Sequence, residues 1–503
     1  MISPTDQRSH HVWPARVLLL ALVVAYVALP VSEALFIRAS SANIPISDTW
    51  GYVPVLTTFA GTGHVAWGHL FSFYGSGRPA LERFGLLLSA RYLTLDVQMF
   101  KMLSVAVSVL ETACVIWAFR LALPRARAAL VLLSAYPAAI LVFGFNNWQN
   151  LLDEWNVMNL AAVALAFLAI ILTVHLRSVG ARSVYLLVAL VLVCAFASFT
   201  GESGTLSWIA CALLIWIPGA RRTVIEKMAF SVTGAVFLLI YFAGTSAVGS
   251  GHPLHHVGTV LDFALICLGN GVVGAGVKEL PLARAIGIAE VAVVVLLGVL
   301  VVSRRLWDDR AVLVATGLVA FGGMGALATG VSRLGFGINA AMSSRYIALA
   351  APVAIGILLV LVRVLSLSRA DEQESRPPFK KAGLWALPCL VAVAFCVSGI
   401  ASDVRFARVA TDKQAYYIKL REVACNPSAY STLDLSKFDH SGGLRPRQKA
   451  QLLAQIADLR RAGLSVFSDD SCQSYARLPR RVGRGAVTLE ATGATLIPKW
   501  PAS

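Results

Sequence analysis

The feature that most constrains this chain is a series of about eleven apolar runs, most of them long enough to cross a hydrocarbon core roughly 30 Å thick. Of its 503 residues, 57% are hydrophobic and 14% are charged, and the mean hydropathy is +0.72. Ordinary soluble domains carry about 25% charged residues. The alternating segments of roughly ten residues that build membrane barrels are absent. The sequence therefore predicts an all-α polytopic membrane protein with about eleven transmembrane helices.

The first predicted span is followed by a loop of roughly sixty residues, whereas most later connections are short. The spans are expected at about residues 18–36, 100–123, 128–144, 156–176, 184–199, 205–220, 228–247, 285–302, 311–330, 346–365 and 384–401. A shorter apolar piece, Val260–Val273, is interrupted by Gly269-Asn270-Gly271. This piece is predicted to be re-entrant or interfacial rather than spanning.

Arginine and lysine clusters indicate the orientation of the chain. They fall after the second, fourth, sixth, eighth and tenth spans, and Arg8 and Arg16 precede the first. Because such clusters stay in the cytoplasm, the N-terminus is predicted inside, and the loop 37–99 and the C-terminal tail outside. The apolar run after Arg16 could be a signal peptide, but apolar character resumes at Leu35, which favours an uncleaved first helix.

The formal net charge of +16 does not indicate nucleic-acid binding. Many of the basic residues sit in the short clusters between apolar runs, where they act as orientation signals and contact lipid headgroups. Nucleic acid is therefore excluded as an expected partner, and membrane lipids are expected instead.

The chain divides into a multi-spanning domain, 1–401, and a small C-terminal extracytoplasmic domain, 402–503. Within this second domain, helices are predicted at Arg405–Val423 and Arg447–Arg461, and a short strand at Leu464–Phe467. Six of the eight cysteines lie in apolar segments, where they serve as small buried side chains. The remaining two, Cys425 and Cys472, are predicted on the oxidising side of the membrane. The sequence allows either a disulfide between them or two free thiols.

Three carboxylates outside the predicted spans are candidates for catalysis: Asp48, Asp153 and Glu154. Asp48 lies near the membrane surface, where a carboxylate can take a proton from a hydroxyl or bind a divalent cation. The structural alternative is a helix N-terminus, which the Ser47-Asp48 pair would suit. Asp153 and Glu154 follow a stretch rich in amides and tryptophan, a composition typical of sugar binding and equally of a membrane interface.

A second group of polar residues is expected to bind substrate. Its members are Arg78, Glu82, Asn147, Trp148, Glu202, Arg333 and Arg345. Guanidinium groups suit phosphate, whereas amides and indoles suit the hydroxyls and ring faces of sugars. Arg78 and Glu82 are spaced to meet across one helical turn. Ion pairs and anchors at the membrane interface are the structural alternative for these residues.

Two further features bear on function. Glu111 lies near the middle of the second span, where an ionised carboxylate costs about 2.5–3.5 kcal/mol. It is expected to be neutral, paired or facing a cavity, and to serve either proton coupling or a hydrogen bond between helices. His252, His255 and His256 have no carboxylate close by, so no metal site is predicted there.

This layout resembles the C-type glycosyltransferase (GT-C) superfamily of polytopic membrane enzymes. The resemblance rests on Asp48 in a long first outside loop, on the many spans and on the outside C-terminal domain. It implies that an acidic residue of the first external loop acts as a base or a metal ligand, and that the sugar donor is linked to a polyprenyl phosphate. No Asp-x-Asp or Glu-x-Asp motif surrounds Asp48, so a divalent cation is allowed rather than required.

The sequence is therefore interpreted as a glycosyltransferase of a bacterial inner membrane. It would move a sugar from a polyprenyl-phosphate donor to an outside glycan or lipid, with Asp48 activating the acceptor and arginines stabilising the departing phosphate. A transporter or lipid flippase is the first alternative, and Glu111 is its best support. The second alternative is a non-catalytic membrane protein whose tail binds a partner.

Overall fold

The protein is described here from a computed structural model. The structure describes residues 12–45, 49–73, 77–178, 184–220, 222–243, 256–274, 279–371, 397, 404, 421–422, 424–426, 446–468 and 472. Helices and turns account for the regular structure of these residues, and none of them forms a β-strand. The all-α prediction is therefore confirmed for the described part of the chain.

The structure describes sixteen α-helices. They are α1 (Val12–Ser40), α2 (Thr49–Thr62), α3 (Trp67–Phe71), α4 (Ala80–Tyr92), α5 (Val97–Ala122), α6 (Ala128–Val142), α7 (Trp148–Leu152), α8 (Val157–Ser178), α9 (Val184–Thr200), α10 (Leu206–Trp216), α11 (Val224–Phe242), α12 (Val257–Val273), α13 (Leu280–Ser303), α14 (Arg310–Arg333), α15 (Ile347–Asp371) and α16 (Pro446–Arg461).

Within the described ranges, eight helical segments are long and apolar enough to cross a membrane. They are Arg16–Ser40, Val97–Ala122, Ala128–Leu152, Val157–Ser178, Val224–Phe242, Leu280–Ser303, Arg310–Phe336 and Ser344–Leu367. The predicted fifth and sixth spans are the helices α9 and α10, which have only 17 and 11 residues. Nearly all of the predicted eleventh span, 384–401, lies outside the described residues. The chain is thus a multi-pass integral membrane protein.

The bundle has a buried centre and exposed flanks. In the segment that contains α15, 78% of the residues in its most apolar stretch of 18 are buried, against 11% in the segments that contain α1 and α13. The helices α14 and α15 pack closely because Gly322 and Gly356 each face a backbone oxygen of the neighbouring helix, Leu349 O and Ala315 O. Small residues permit this approach, and apolar side chains alone give little drive for association in lipid.

The helix α12 corrects the predicted break at Gly269-Asn270-Gly271, because it continues through all three residues. Gly269 is needed for close helix packing and does not break the helix. A Cβ on Gly269 would lie 1.8 Å from Ala283 O, and one on Gly287 would lie 1.8 Å from Leu265 O. The short distance between α12 and α13 is therefore incompatible with a side chain at either glycine.

The position of α12 favours an interfacial segment. Near its start, Val260 packs on Gly330 at the end of α14, and near its end Asn270 donates to Ala341 O and Ser343 O, at 3.5 and 3.4 Å. Both ends of α12 therefore contact the same end of the bundle, whereas the ends of a spanning helix would lie at opposite ends.

The C-terminal segment docks on the first loop. Ser465 donates its backbone N–H to Thr94 O at 2.7 Å and its hydroxyl to Asn43 O at 2.9 Å, and α16 packs against α2. The predicted helix at residues 447–461 is confirmed as α16, and Cys425 and Cys472 form a disulfide. The predicted helix 405–423 lies almost entirely outside the described residues.

The predicted strand at residues 464–467 is wrong, because the chain makes a 3₁₀ turn there, Ser465–Phe467. The order apolar, polar, apolar at Leu464, Ser465 and Val466 resembles a strand in the sequence, but all three residues are buried. Positive φ angles at Gly463 (61°) and Ser465 (59°) bend the chain instead.

Candidate functional site

The candidate site lies at one end of the bundle, which we call the loop end. It carries the connections 143–156, 201–205 and 334–346. Gln149 of α7 fastens two of them together: its side-chain oxygen accepts from Ser343 Oγ at 2.6 Å and from Arg345 N at 3.1 Å, and its backbone N–H donates to Ser344 Oγ at 3.1 Å. Residues separated by almost two hundred positions are thereby held at one place.

Below Gln149, a network of hydrogen-bonded asparagine side chains also connects these loops. The Asn150 amide donates to Asn147 Oδ1 at 2.6 Å and to Arg345 O at 3.0 Å, and it accepts from Asn159 at 3.5 Å. Asn147 was predicted to bind substrate, but only 2% of its surface is exposed. Its side chain therefore supports the loop end from within, while the neighbouring Trp148 is half-buried.

Glu202 and two of the predicted arginines come together at the loop end. Glu202 lies in the 3₁₀ turn Glu202–Thr205 between α9 and α10, and its Oε1 is 3.7 Å from Arg333 Nη2. Arg345 also acts on this carboxylate electrostatically. The Arg333 and Arg345 guanidinium groups lie over the rings of Phe336 and Tyr346, at 5.8 and 5.1 Å. The aromatic rings orient the two cations.

The Glu202 side chain is both accessible and desolvated. It retains 39% of its accessible surface, yet burial raises the pKa of its carboxyl above the ordinary value, while Arg333 and Arg345 lower it. Glu202 is therefore a candidate carboxylate that solvent and a ligand can reach. We call the place where Glu202 lies beside Arg333 and Arg345 the hollow.

Arg78 reaches the same region through its backbone. Its N–H donates to the Tyr241 hydroxyl at 2.8 Å, and a Cβ on Gly77 would lie 3.2 Å from Glu202 Cβ. The guanidinium donates to the carbonyls of Phe71, Tyr241 and Ala243, at 2.6–2.7 Å. Two of these carbonyls belong to the C-terminal end of α11, where a cation is favourable. Arg78 thus joins the first loop to α11, and two of its five N–H groups have no acceptor among the described residues.

The predicted helical pairing of Arg78 with Glu82 is wrong, because α4 begins at Ala80, after Pro79. Proline lacks the N–H that a helix interior needs and is tolerated only at the start. Glu82 is 1% exposed, and the adjacent Arg83 donates to Leu70 O and Ser72 O. Glu82 is therefore enclosed in the first loop and does not face the hollow.

Glu154 belongs to a buried ion pair that its position in a polar stretch does not predict. Its Oε2 lies 3.3 Å from Lys101 Nζ of α5, and neither side chain has any accessible surface. The signal for Lys101 was present, because a lysine inside an apolar helix needs an opposite charge nearby. The other predicted carboxylate, Asp153, accepts from Trp155 N at 3.1 Å and Asn156 Nδ2 at 3.0 Å, which organises the turn before α8.

Asp48, together with His252 and His255, lies outside the described residues. The helix α2 begins directly after it, at Thr49. Among the residues that the structure describes, no group of three or more histidine, cysteine, aspartate or glutamate side chains is placed to hold a metal ion.

Four buried polar atoms at the loop end have no hydrogen-bond partner in the described part of the protein. They are Asn146 Oδ1, Ser203 Oγ, Asn270 Oδ1 and the Tyr346 hydroxyl. Buried polar groups are rarely left unpaired, so such atoms indicate places for enclosed water.

The fold and this arrangement define the class: a multi-pass membrane protein with a cationic, carboxylate-containing hollow at one end of its helical bundle. Comparison of the chain with models of protein families, with characterised proteins and with solved structures found no match.

Proposed function

We propose that the protein is a membrane glycosyltransferase that moves a sugar from a polyprenyl-phosphate donor to a glycan or lipid acceptor. The observation that carries the proposal is the meeting of Glu202, Arg333 and Arg345 in one hollow. Its chemistry is complementary to a phosphate next to a hydroxyl: two guanidinium groups for the anion and one carboxylate for the proton.

In the proposed reaction, the acceptor oxygen forms a bond to the sugar carbon while the bond from that carbon to the phosphate oxygen breaks. The acceptor proton passes to a carboxylate, and the departing phosphate keeps the electron pair. Arg333 and Arg345 stabilise the negative charge that develops on the phosphate. Because the Phe336 and Tyr346 rings orient both groups, little reorganisation is needed as the charge appears.

Glu202 and Asp48 are the two proposed bases. The raised pKa of Glu202 makes its ionised form a stronger base than an ordinary carboxylate. Asp48 retains the role that the family resemblance implies.

The proposal also includes the orientation. The chain would span a bacterial inner membrane about eleven times with its N-terminus inside, so that the loop end faces outward. Donor and acceptor would then meet on the extracytoplasmic side.

The test measures sugar release by the purified full-length protein from a panel of polyprenyl-phosphate sugars. Glu202→Gln is expected to lower turnover about 100- to 10,000-fold, because it removes the proton acceptor. The matched control is Glu226→Gln, since Glu226 also pairs with an arginine, Arg222 at 2.9 Å, but at the opposite end of the bundle. It is expected to leave turnover unchanged.

The pH profile gives a second result. The active form of Glu202 is ionised, so turnover falls as the pH drops through its pKa, and that fall should occur above the ordinary glutamate value. Loss of turnover in Asp48→Asn with full turnover in Glu202→Gln would assign the base to Asp48. Absence of turnover from wild-type protein across the panel would contradict the proposal and favour transport.

A further inference from the structure

A line of buried polar side chains runs down one face of α5, away from the hollow. It consists of Lys101, Ser104, Ser108 and Glu111, which are 0%, 0%, 1% and 4% exposed. Their spacing of three and four residues places them on one side of the helix. We call this set the α5 polar column.

Glu33 of α1 joins the α5 polar column from the facing helix. Its Oε1 accepts from Ser108 Oγ at 3.2 Å, and the residue is 0% exposed. Its Oε2 is enclosed and has no hydrogen-bond partner among the described residues. Glu111 lies one turn beyond Ser108 and is close enough to Glu33 for the two carboxyls to repel each other when ionised.

Two neighbouring carboxyls inside the bundle favour bound protons. One ionised carboxylate at the centre of a membrane helix costs about 2.5–3.5 kcal/mol on insertion scales. A second negative charge beside it adds repulsion in a medium of low polarity. A proton on each carboxyl removes both costs and supplies an O–H donor.

The α5 polar column begins beneath the loop end, and none of its side chains is more than 4% exposed. Along the helix axis, Lys101 lies about 6 Å and Glu111 about 21 Å from the first residue of α5. Lys101 pairs with Glu154 of the loop-end connection. Beyond Glu111 and the buried Thr112 next to it, the buried face becomes apolar, with Val115, Ala118, Phe119 and Ala122 all at 0% exposure.

We propose that Glu33 and Glu111 form a proton-binding site that exchanges its protons with the loop end through the hydroxyls of the α5 polar column. The apolar face beyond Glu111 closes the opposite direction, so the site takes up and returns protons on one side of the membrane. This inference does not depend on the proposed sugar transfer.

The test follows the infrared band of protonated carboxyl groups when full-length protein is moved from H₂O to D₂O. Glu33→Gln and Glu111→Gln assign the bands while keeping the size and polarity of each side chain. Glu290 is the matched internal control, assigned with Glu290→Gln. It is a 6% exposed carboxyl on α13 with no hydroxyl side chain three or four residues away.

The Glu33 and Glu111 bands are expected to shift on deuteration at least about tenfold faster than that of Glu290. The double variant Ser104→Ala/Ser108→Ala should slow their exchange by about tenfold, the effect of removing a hydrogen bond to a carboxyl. If the two carboxyls only form a static hydrogen bond between helices, their protons should exchange as slowly as that of Glu290, and the serine double variant should not change the rate. That result would overturn the proposal.

A second measurement uses wild-type protein only, so it remains possible if the variants fold poorly. A hydrophobic carbodiimide reacts with protonated carboxyls in apolar surroundings, and mass spectrometry of the wild-type protein locates the adduct. Modification of Glu33 or Glu111 is the expected result. Modification of Glu290 alone would show that the reagent enters the bundle and that the pair is ionised, and the proposal would then fail.

Discussion

The Lys101–Glu154 ion pair places two opposite charges where neither side chain touches solvent. Each charge loses its hydration, and the pair survives because attraction in a medium of low polarity offsets that cost. Lys101 also lies 3.4 Å from Ala42 O, so it joins α5 to the end of α1 as well as to the connection before α8. This residue therefore fixes the base of the loop end.

Lys101→Met is expected to destabilise the protein by about 3–5 kcal/mol, because the Glu154 carboxylate would keep its burial and lose its ammonium partner. Thermal unfolding in detergent measures the effect. Lys101→Met/Glu154→Gln removes both charges and should recover much of the loss.

The control for this prediction is Asp458→Asn in α16. Asp458 pairs with Arg461, whose side chain is 78% exposed, and exposed pairs contribute only about 0–1 kcal/mol. Equal unfolding temperatures for wild type and Lys101→Met would show that the buried pair adds nothing to stability.

The candidate site could be predicted from the sequence only in its residue types. Arg333, Arg345 and Glu202 were singled out separately, and the structure brings them together. Their meeting depends on the packing of α9, α14 and α15, which no local pattern encodes. Glu154 is a different case. Its position in a polar stretch predicts an accessible carboxylate, whereas in the structure it is completely buried beside Lys101.

At the scale of elements, the length of the apolar runs predicts most helices well. The role of glycine within them is predicted badly. The spans expected at 100–123 and 156–176 are the helices α5 and α8, with ends displaced by only a few residues. Gly269 was interpreted as a break because glycine weakens isolated helices. The contact with α13 overrides that preference, and it cannot be seen in a single stretch of sequence.

Two glycines of α13 offer a matched test of this packing. Gly287→Ala should destabilise the protein by about 1–3 kcal/mol, because the new Cβ would lie 1.8 Å from Leu265 O and force α12 away. Gly298→Ala in the same helix has nothing within 4 Å of its Cβ and should be neutral, or stabilising by up to about 1 kcal/mol. Thermal unfolding compares them, and similar effects from both would show that α12 and α13 are not in close contact.

At the scale of the molecule, the two ends of the bundle differ in charge and in construction. The loop end carries the hollow, the asparagine network and the docked C-terminal segment. The other end carries exposed arginines such as Arg125, Arg127 and Arg305. Part of its positive charge is already paired, since Arg177 lies 3.2 Å from Asp308 and Arg363 lies 2.6 Å from Asp309. This asymmetry is what the predicted orientation depends on.

Cysteine labelling in cells tests that orientation. Gly68→Cys places a thiol on the exposed helix α3 of the first loop, with nothing within 4 Å of its Cβ, and Arg125→Cys places one on the exposed turn after α5. A membrane-impermeant maleimide should modify Gly68→Cys in intact cells, and Arg125→Cys only after permeabilisation. Wild-type protein measures the background from the native thiols, of which Cys114, Cys194, Cys211 and Cys267 are buried.

The labelling result also tests the proposed function, because the proposed donor and acceptor meet the hollow on the extracytoplasmic side of the membrane. If Arg125→Cys were modified in intact cells and Gly68→Cys were not, the loop end would face the cytoplasm. An extracytoplasmic acceptor could then not reach Glu202. The Cys425–Cys472 disulfide would also lie in a reducing compartment, where such bonds rarely persist. The disulfide and the basic clusters thus support the outward orientation independently, one through redox chemistry and the other through charge.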